Sequence, residues 1–490
     1  MMSMVSRSCQ ESRTRAVLFA LVAILWAPVA AADASELHIG SASVSITPDK
    51  PVALCGQVHT RISNQVESPV TATALAVEAR DGDKVLDQAI MVSCDLAGIE
   101  DGLQDRIRRR LKTRLPDFDA TKLFLAATHT HTAPVTSKGI YVIPATGVVK
   151  PTEYVDFLCK RLEDAIVRAW NNRRPGGVGW GLGHALVAHN RRAVYADGKA
   201  RMYGSTSGPT FRGIEGYEDH YVDALFFFDK DRNVTAIAVN VACPSQEVEG
   251  RQNVNADFWH ETRLLLRKRF GEHVHVIAWT GASGDQSPHL MWYKRAEERM
   301  RKLRGLTRLE EIARRVDIAV DQAYQGAKQD IRFDAPLTHC VKEIQLPVRM
   351  VTEEEFAKAK EFRDSIAKDE NPDPRLSLRR MWNQSVVDRY EKQKENPRYT
   401  MELHCLRLGD VAVCTNPFEL YTEFGIRMKA RSKAVQTFVV QLACGSGAYV
   451  PTAEAIEGGS YSTAVFSNLV GPEGGDSLVD QTVEAINAMW

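Results

Sequence analysis

The chain has 490 residues, 44% of them hydrophobic, with ordinary glycine and proline contents, so it can bury a large core in one large domain or two. Lys and Arg balance Asp and Glu at 62 each, which leaves no basic field for nucleic acid. The nine cysteines are scattered without CxxC pairs or regular spacing, which argues against a disulfide scaffold and against a zinc finger.

The chain opens with Arg7, Arg13 and Arg15, runs through apolar residues from Ala16 to Ala27 and closes on Ala30-Ala31-Ala32. That three-part layout predicts a signal peptide over residues 1–32 and an exported product, secreted or periplasmic, over 33–490. The apolar stretch is shorter than the roughly 20 residues a bilayer requires, and no other stretch reads as a transmembrane segment. Cys9 falls in the signal, leaving Cys55, Cys94, Cys159, Cys243, Cys340, Cys405, Cys414 and Cys444, among which one or two bridges remain open.

Short apolar runs then alternate with amphipathic stretches, which predicts an α/β fold: a mixed β-sheet core flanked by helices. Leu103, Ile107, Leu111 and Leu115 mark one helix, with Arg108-Arg109-Arg110 expected on its solvated face. Val155, Leu158, Leu162, Ile166 and Ala169 mark a second after Pro151, a favoured start. Two charged segments, about 291–328 and 352–397, read as helical insertions, the second broken at Asn371-Pro372-Asp373-Pro374. A boundary near residue 330 would split the motifs described next, so one catalytic domain is expected.

Five polar clusters each follow a short strand-like run. They are Thr128-His129-Thr130-His131-Thr132-Ala133-Pro134, Cys243-Pro244-Ser245-Gln246-Glu247, Gly281 to His289, Asn416-Pro417-Phe418-Glu419 and Cys444 to Tyr449. Loops at one edge of a sheet are where α/β folds bind ligands, so the five are expected to converge on one pocket. On an extended segment His129 and His131 point the same way, about 6–7 Å apart. One would ligate a metal and the other would face the substrate. Catalytic zinc takes about three His, Glu, Asp or Cys ligands and keeps a place for water, whose pKa it lowers to about 7. Each element also has a structural reading: the His pair as a hydrogen-bonded strand end, Glu419 as a helix N-terminal residue, Cys243 as a buried thiol and Ser287 as a turn residue.

In this order the segments resemble the neutral, non-lysosomal ceramidase family. Ile39 to Pro48 is similar to its opening strand, Thr128 to Pro134 to its histidine motif and Asn190-Arg191 to its Asn-Arg pair. Gly284-Asp285-Gln286-Ser287-Pro288-His289 resembles its Gly-Asp-x-Ser-Pro-Asn signature, Glu419 its Pro-Gly-Glu position, and Tyr449-Val450-Pro451-Thr452 its Tyr-Val-Thr-Thr segment. The resemblance runs from about residue 37 to 485. It implies zinc on His129 and Glu419, with Tyr449 as ligand or neighbour. It also implies His131 and Tyr449 stabilising the oxyanion, Asn190 and Arg191 shaping the substrate site, and Ser287 polarising or positioning.

Three departures bear on function. Cys243 stands where the family has its second zinc histidine, so the metal is held through that thiolate, through another ligand such as His289, or not at all. His289 replaces the signature Asn and is either a general base or a loop hydrogen-bonding residue. The family's C-terminal β-sandwich domain does not follow the motifs before Trp490, which leaves the substrate open. The leading expectation is a zinc-dependent hydrolase of an acyl amide, with a small-molecule or lipid-like acylated substrate that a membrane surface could present. The alternatives are an esterase or deacylase acting on glycans or other extracellular molecules, and a metal-free binding protein on the same scaffold. Trp180, Trp259, Trp279 and Trp292 near the motifs are either aromatic surface for sugars or core.

Overall fold

The structure is a computed structural model that describes residues 35–367 and 373–490. The segment read as a signal peptide, and Asn371 and Pro372 of the expected break, lie outside the described residues.

The strands β1 (Glu36–Ser45), β2 (Thr71–Asp81), β3 (Lys84–Cys94), β4 (Leu123–Ala127), β5 (Arg174–His184), β6 (Tyr221–Asp229), β7 (Val234–Val241) and β8 (His275–Thr280) form one sheet. Its order is β8-β7-β6-β5-β1-β2-β3-β4. Its outermost pairs, β3 with β4 and β7 with β8, are parallel, and the pairs between them are antiparallel. A second sheet, β9 (Leu337–Pro347), β10 (Arg398–Leu408), β11 (Val411–Thr415) and β12 (Gln436–Val440), runs in chain order and ends in another parallel pair.

The period of two decides how these sheets stack. Along β2, Ala72, Ala74 and Ala76 enter one core and Leu75, Val77 and Ala79 another. The second core lies between the sheets, where Phe124, Phe227 and Trp279 meet Leu406, Val413 and Phe438. Helices cover the outer faces. The first half of the large sheet carries α1 (Leu103–Leu111) and α2 (Pro151–Asn171), and its second half carries α3 (Phe258–Phe270) and α5 (Arg308–Ala327), preceded by the short α4 (Lys294–Leu303). The hairpin α6 (Glu353–Ala367) and α7 (Pro374–Lys392) follows, and α8 (Thr422–Arg431) with α9 (Pro472–Asn487) covers the small sheet. Each large aliphatic or aromatic side chain buried in these layers stabilises the fold by about 1.5–3 kcal/mol. Among the described residues no helix is long and apolar enough to cross a membrane.

Two expectations need correction. The 291–328 segment does not stay outside the core: α5 buries Ile312, Val316, Ala319 and Val320 on β5, so closely that a Cβ at Gly181 would come within 2.2 Å of the Ala323 carbonyl oxygen. Only α4 stays at the surface, with no buried residue, whereas α6 and α7 build a small core of their own from Ala359, Val386 and Val387 with Val351 and Val465. In α1, Arg109 is solvated, but Arg108 forks onto Glu402 and Arg110 pairs with Glu163. Among the described residues no disulfide forms, and all eight cysteines from Cys55 to Cys444 are free.

The carboxyl ends of three parallel pairs meet. Gln441 N donates to the Thr280 carbonyl at 3.0 Å and Ala127 N to the Leu442 carbonyl at 3.1 Å, which ties the exits of β8, β4 and β12 together. The loops that leave these strands therefore share one edge.

Candidate active site

The loop after β4 is anchored by its threonines. The hydroxyls of Thr130 and Thr132 both donate to the Asn255 carbonyl, at 2.8 and 2.7 Å, which turns His129 and His131 the other way. His129 has φ 65°, a left-handed conformation rare for a side-chain-bearing residue, so the rings do not sit on a regular strand; their centroids are 4.8 Å apart. The Nδ1 of His129 donates to the Ala97 carbonyl, so in the neutral ring Nε2 carries the lone pair. That Nε2 is buried without a hydrogen-bond partner and lies 3.3 Å from the Glu419 carboxylate.

Glu419 arrives on the loop after β11, where its backbone pairs with Tyr449 through Glu419 N and the Ala448 carbonyl at 2.9 Å. Burial pushes the Glu419 carboxyl up, but His129, Arg191 and the Tyr449 hydroxyl together hold it below the ordinary carboxylate value. Burial, reinforced by that carboxylate, keeps the Tyr449 phenol protonated far above its usual range. Arg191 is fully buried and donates to the Tyr203 hydroxyl at 2.5 Å, the Gly284 carbonyl at 2.8 Å and the Tyr449 hydroxyl at 3.5 Å.

His131 is held from both sides. Its Nδ1 lies 3.1 Å from Glu249 and its Nε2 lies 2.9 Å from the Gln246 amide nitrogen. Burial lowers the His131 pKa. Buried Arg61 donates to the carbonyls of Cys55, His131, Glu249 and Arg251 and so staples three segments behind the ring. Gly56 completes the seat: it has φ 95°, and a Cβ there would lie 2.2 Å from His131 Cγ.

These groups line a cavity of about 1140 Å³. Its polar end holds His129, His131, Arg191, Tyr203, Gln246, Glu249, Glu419, Tyr449 and Tyr461. The other wall comes from the α6–α7 hairpin and the turn after Ala464: Phe362, Trp382, Val465 and Phe466, with the Trp382 and Phe466 rings stacked at 5.3 Å. A second cavity of about 460 Å³ adjoins it across Tyr203 and holds His289, Glu247, Arg301 and Arg308.

The structure brings His129, His131, Arg191, Glu419 and Tyr449 together and leaves four expected site residues out of the cavity lining. Cys243 is fully buried in the core with Phe258 and Trp259, its Sγ near the Val187 and Pro244 carbonyls at 3.7 and 3.6 Å, and burial pushes its thiol pKa well up. It does not reach His129 and Glu419, because the tight turn at Pro244 sends Gln246 into the site instead. Asn190 is committed to the Asp285 carboxylate at 2.9 Å and the Tyr217 carbonyl, so it shapes the wall rather than the surface. Ser287 is buried and accepts from His289 N at 3.1 Å. His289 bonds Glu249 at 3.2 Å and faces the second cavity.

Sequence reasoning missed Gln246, Glu249, Arg61, Tyr203 and Tyr461, although Gln246 stood inside a flagged cluster. Of the expected tryptophans, Trp259 and Trp279 are core and Trp180 is half-buried. Among the described residues, the group of His, Cys and carboxylate atoms gathered within 4.8 Å is Glu402, His404 and Cys444, and there Arg108 already supplies the cation. At the cavity, the donor set that fits a zinc ion is His129 Nε2, the Glu419 carboxylate and the Tyr449 phenol. Imidazole and carboxylate are donors that a catalytic zinc site takes, and the Ala97 carbonyl on the far ring nitrogen is the usual partner of a ligating histidine.

No protein-family model matches the chain. A neutral ceramidase from Oryza sativa subsp. japonica is 26% identical over 168 residues, 33% of this chain, and the match spans about a fifth, 21%, of that protein. The crystal structure of neutral ceramidase from Pseudomonas aeruginosa superposes with a TM-score of 0.68 at 17% identity, over 93% of this chain and 74% of that one. A ceramidase solved with C2 superposes with a TM-score of 0.65 at 16% identity, over 93% and 75%. The chain is thus similar in fold to these neutral ceramidase structures over 93% of its length.

Proposed function

We propose that the protein is a zinc-dependent hydrolase of acyl amide bonds, with a lipid-like or other apolar acylated substrate. The observation that carries this reading is the bare, buried Nε2 of His129 facing the Glu419 carboxylate. A buried polar atom without a partner is costly, and a ligand nitrogen awaiting a cation accounts for it. His129, Glu419 and Tyr449 would hold the ion. When bound, zinc supplies a water nucleophile at neutral pH and Lewis acidity toward the carbonyl.

The chain's own residues supply the rest. The apolar wall of Phe362, Trp382, Val465 and Phe466 takes the acyl portion and excludes water. Tyr203 and the Arg191 guanidinium offer donors for the charge that grows on the carbonyl oxygen. Ser287, buried and hydrogen-bonded to His289 N, acts as a positioning residue in the loop behind the site. Export belongs to the same reading and rests on Arg7 to Ala32; sequencing the N-terminus of the protein recovered outside the cytoplasm tests it.

The test is product analysis on paired amide and ester substrates, including ceramide and simpler acyl amides, with protein carrying one zinc per chain. Amide cleavage is expected. Cleavage of esters alone would move the assignment to an esterase or deacylase, and cleavage of neither would leave a binding protein.

A further inference from the structure

We infer that Gln246 and Glu249 are positioning residues that lock His131 in one tautomer, with the proton on Nδ1 held by Glu249 and the lone pair of Nε2 held by the Gln246 amide. What this does for the reaction rests on the hydrolase reading above; the tautomer itself does not.

The argument is a count of donors. Arginine has no acceptor, so the atom of Gln246 that faces Arg191 Nη1 at 3.4 Å and the Tyr203 hydroxyl at 3.5 Å is its oxygen. The amide nitrogen therefore faces His131 Nε2 at 2.9 Å, and a donor there requires a lone pair on the ring. On the opposite side the Glu249 carboxylate can only accept, so Nδ1 at 3.1 Å carries the hydrogen. Burial raises the Glu249 carboxyl, but the hydrogen bonds from His131 and His289 hold it well below the ordinary range, so it stays ionised. Gln246 is 1% exposed and Arg61 pins the backbone carbonyls of His131 and Glu249 at 2.5 and 2.6 Å, so neither partner can turn away.

Two consequences follow. With both ring nitrogens engaged, His131 has no hydrogen to offer the substrate, and the expected role of donating to the oxyanion passes to Tyr203 and Arg191. The loop whose Cys243 turns into the core is also the loop that supplies the clamp, so this chain uses the segment after β7 to orient a histidine.

The tautomer is readable without activity. In full-length protein carrying ¹⁵N-histidine, with His131→Asn used to identify the ring signals, Nδ1 is expected to be protonated and Nε2 bare. Gln246→Glu sets an acceptor against Nε2 and is expected to leave both nitrogens protonated. Gln246→Leu keeps the proton on Nδ1 but frees the ring. Both variants, and Glu249→Gln, are expected to lower kcat by about 10–100-fold, the usual scale for residues that orient a site, with KM little changed. A wild-type ring protonated on Nε2, or one that Gln246→Glu does not alter, would overturn the assignment. Unchanged kcat in all three variants would overturn the positioning role and leave the hydrolase reading intact. A wild-type protein that cleaves no acyl bond would sink the hydrolase reading, while the spectrum still decides the tautomer.

Discussion

Replacing Arg61 by Met removes a guanidinium that four backbone carbonyls share, while the apolar stem keeps its volume. Hydrogen bonds to a charged group contribute about 1.5–3 kcal/mol each, so the gross loss is large. Part of it is offset because the variant no longer desolvates a buried cation. The net destabilisation should be about 3–5 kcal/mol, in the range for breaking a buried network. At an unfolding entropy of roughly 2 cal/mol/K per residue, a chain of this size loses about 1 °C of Tm per kcal/mol. The expected shift is thus about 3–5 °C, read by calorimetry. The staple joins the segments of Cys55, His131, Glu249 and Arg251, so the folded variant should also lose most of its kcat. Unchanged Tm and kcat would show that the four carbonyls find other partners and that the seat of His131 does not depend on Arg61.

Gly56→Ala places a Cβ 2.2 Å from His131 Cγ at φ 95°, so it should cost about 2–4 kcal/mol and displace the ring; activity and thermal unfolding measured together check it. His275, hydrogen-bonded to Ser43, has its pKa pushed down to about 4, first by burial and then by Arg267 and Arg168. The unfolded ring binds its proton near pH 6.5, so this contribution is complete above that pH and is lost as pH falls toward 4. Its size is on the order of 2 kcal/mol, and His275→Gln should flatten that part of the stability profile in urea titrations. Trp382→Ala removes a stacked ring from the apolar wall and should raise KM about tenfold for long-chain acyl substrates, equivalent to ~1.4 kcal/mol, with less effect on short ones.

Much of the fold was legible because its signals are local. The strand runs carry the alternation that two packed sheets require, and the stripes at Leu103 and Val155 lie on the helices they predict. The packing of the 291–328 segment was not legible because its arginines and glutamates dominate the composition, while its buried stripe meets β5 glycines that no local signal connects to it. The site was legible where a motif sits at a strand exit, as with His129 and Glu419. Cys243 was misplaced because chain order aligns it with a ligand, whereas the turn at Pro244 decides which side chain enters the cavity. Arg61, Glu249 and Tyr203 act through partners 6 to 190 residues away, which a sequence pattern does not encode.

Zinc content per chain, measured on purified protein prepared without chelator, tests the account at its centre. Wild type and Cys243→Ser should each hold about one zinc, and His129→Ala and Glu419→Ala should hold almost none and be inactive. Zinc retained in both of the latter, or a wild-type protein that cannot be loaded, would contradict it.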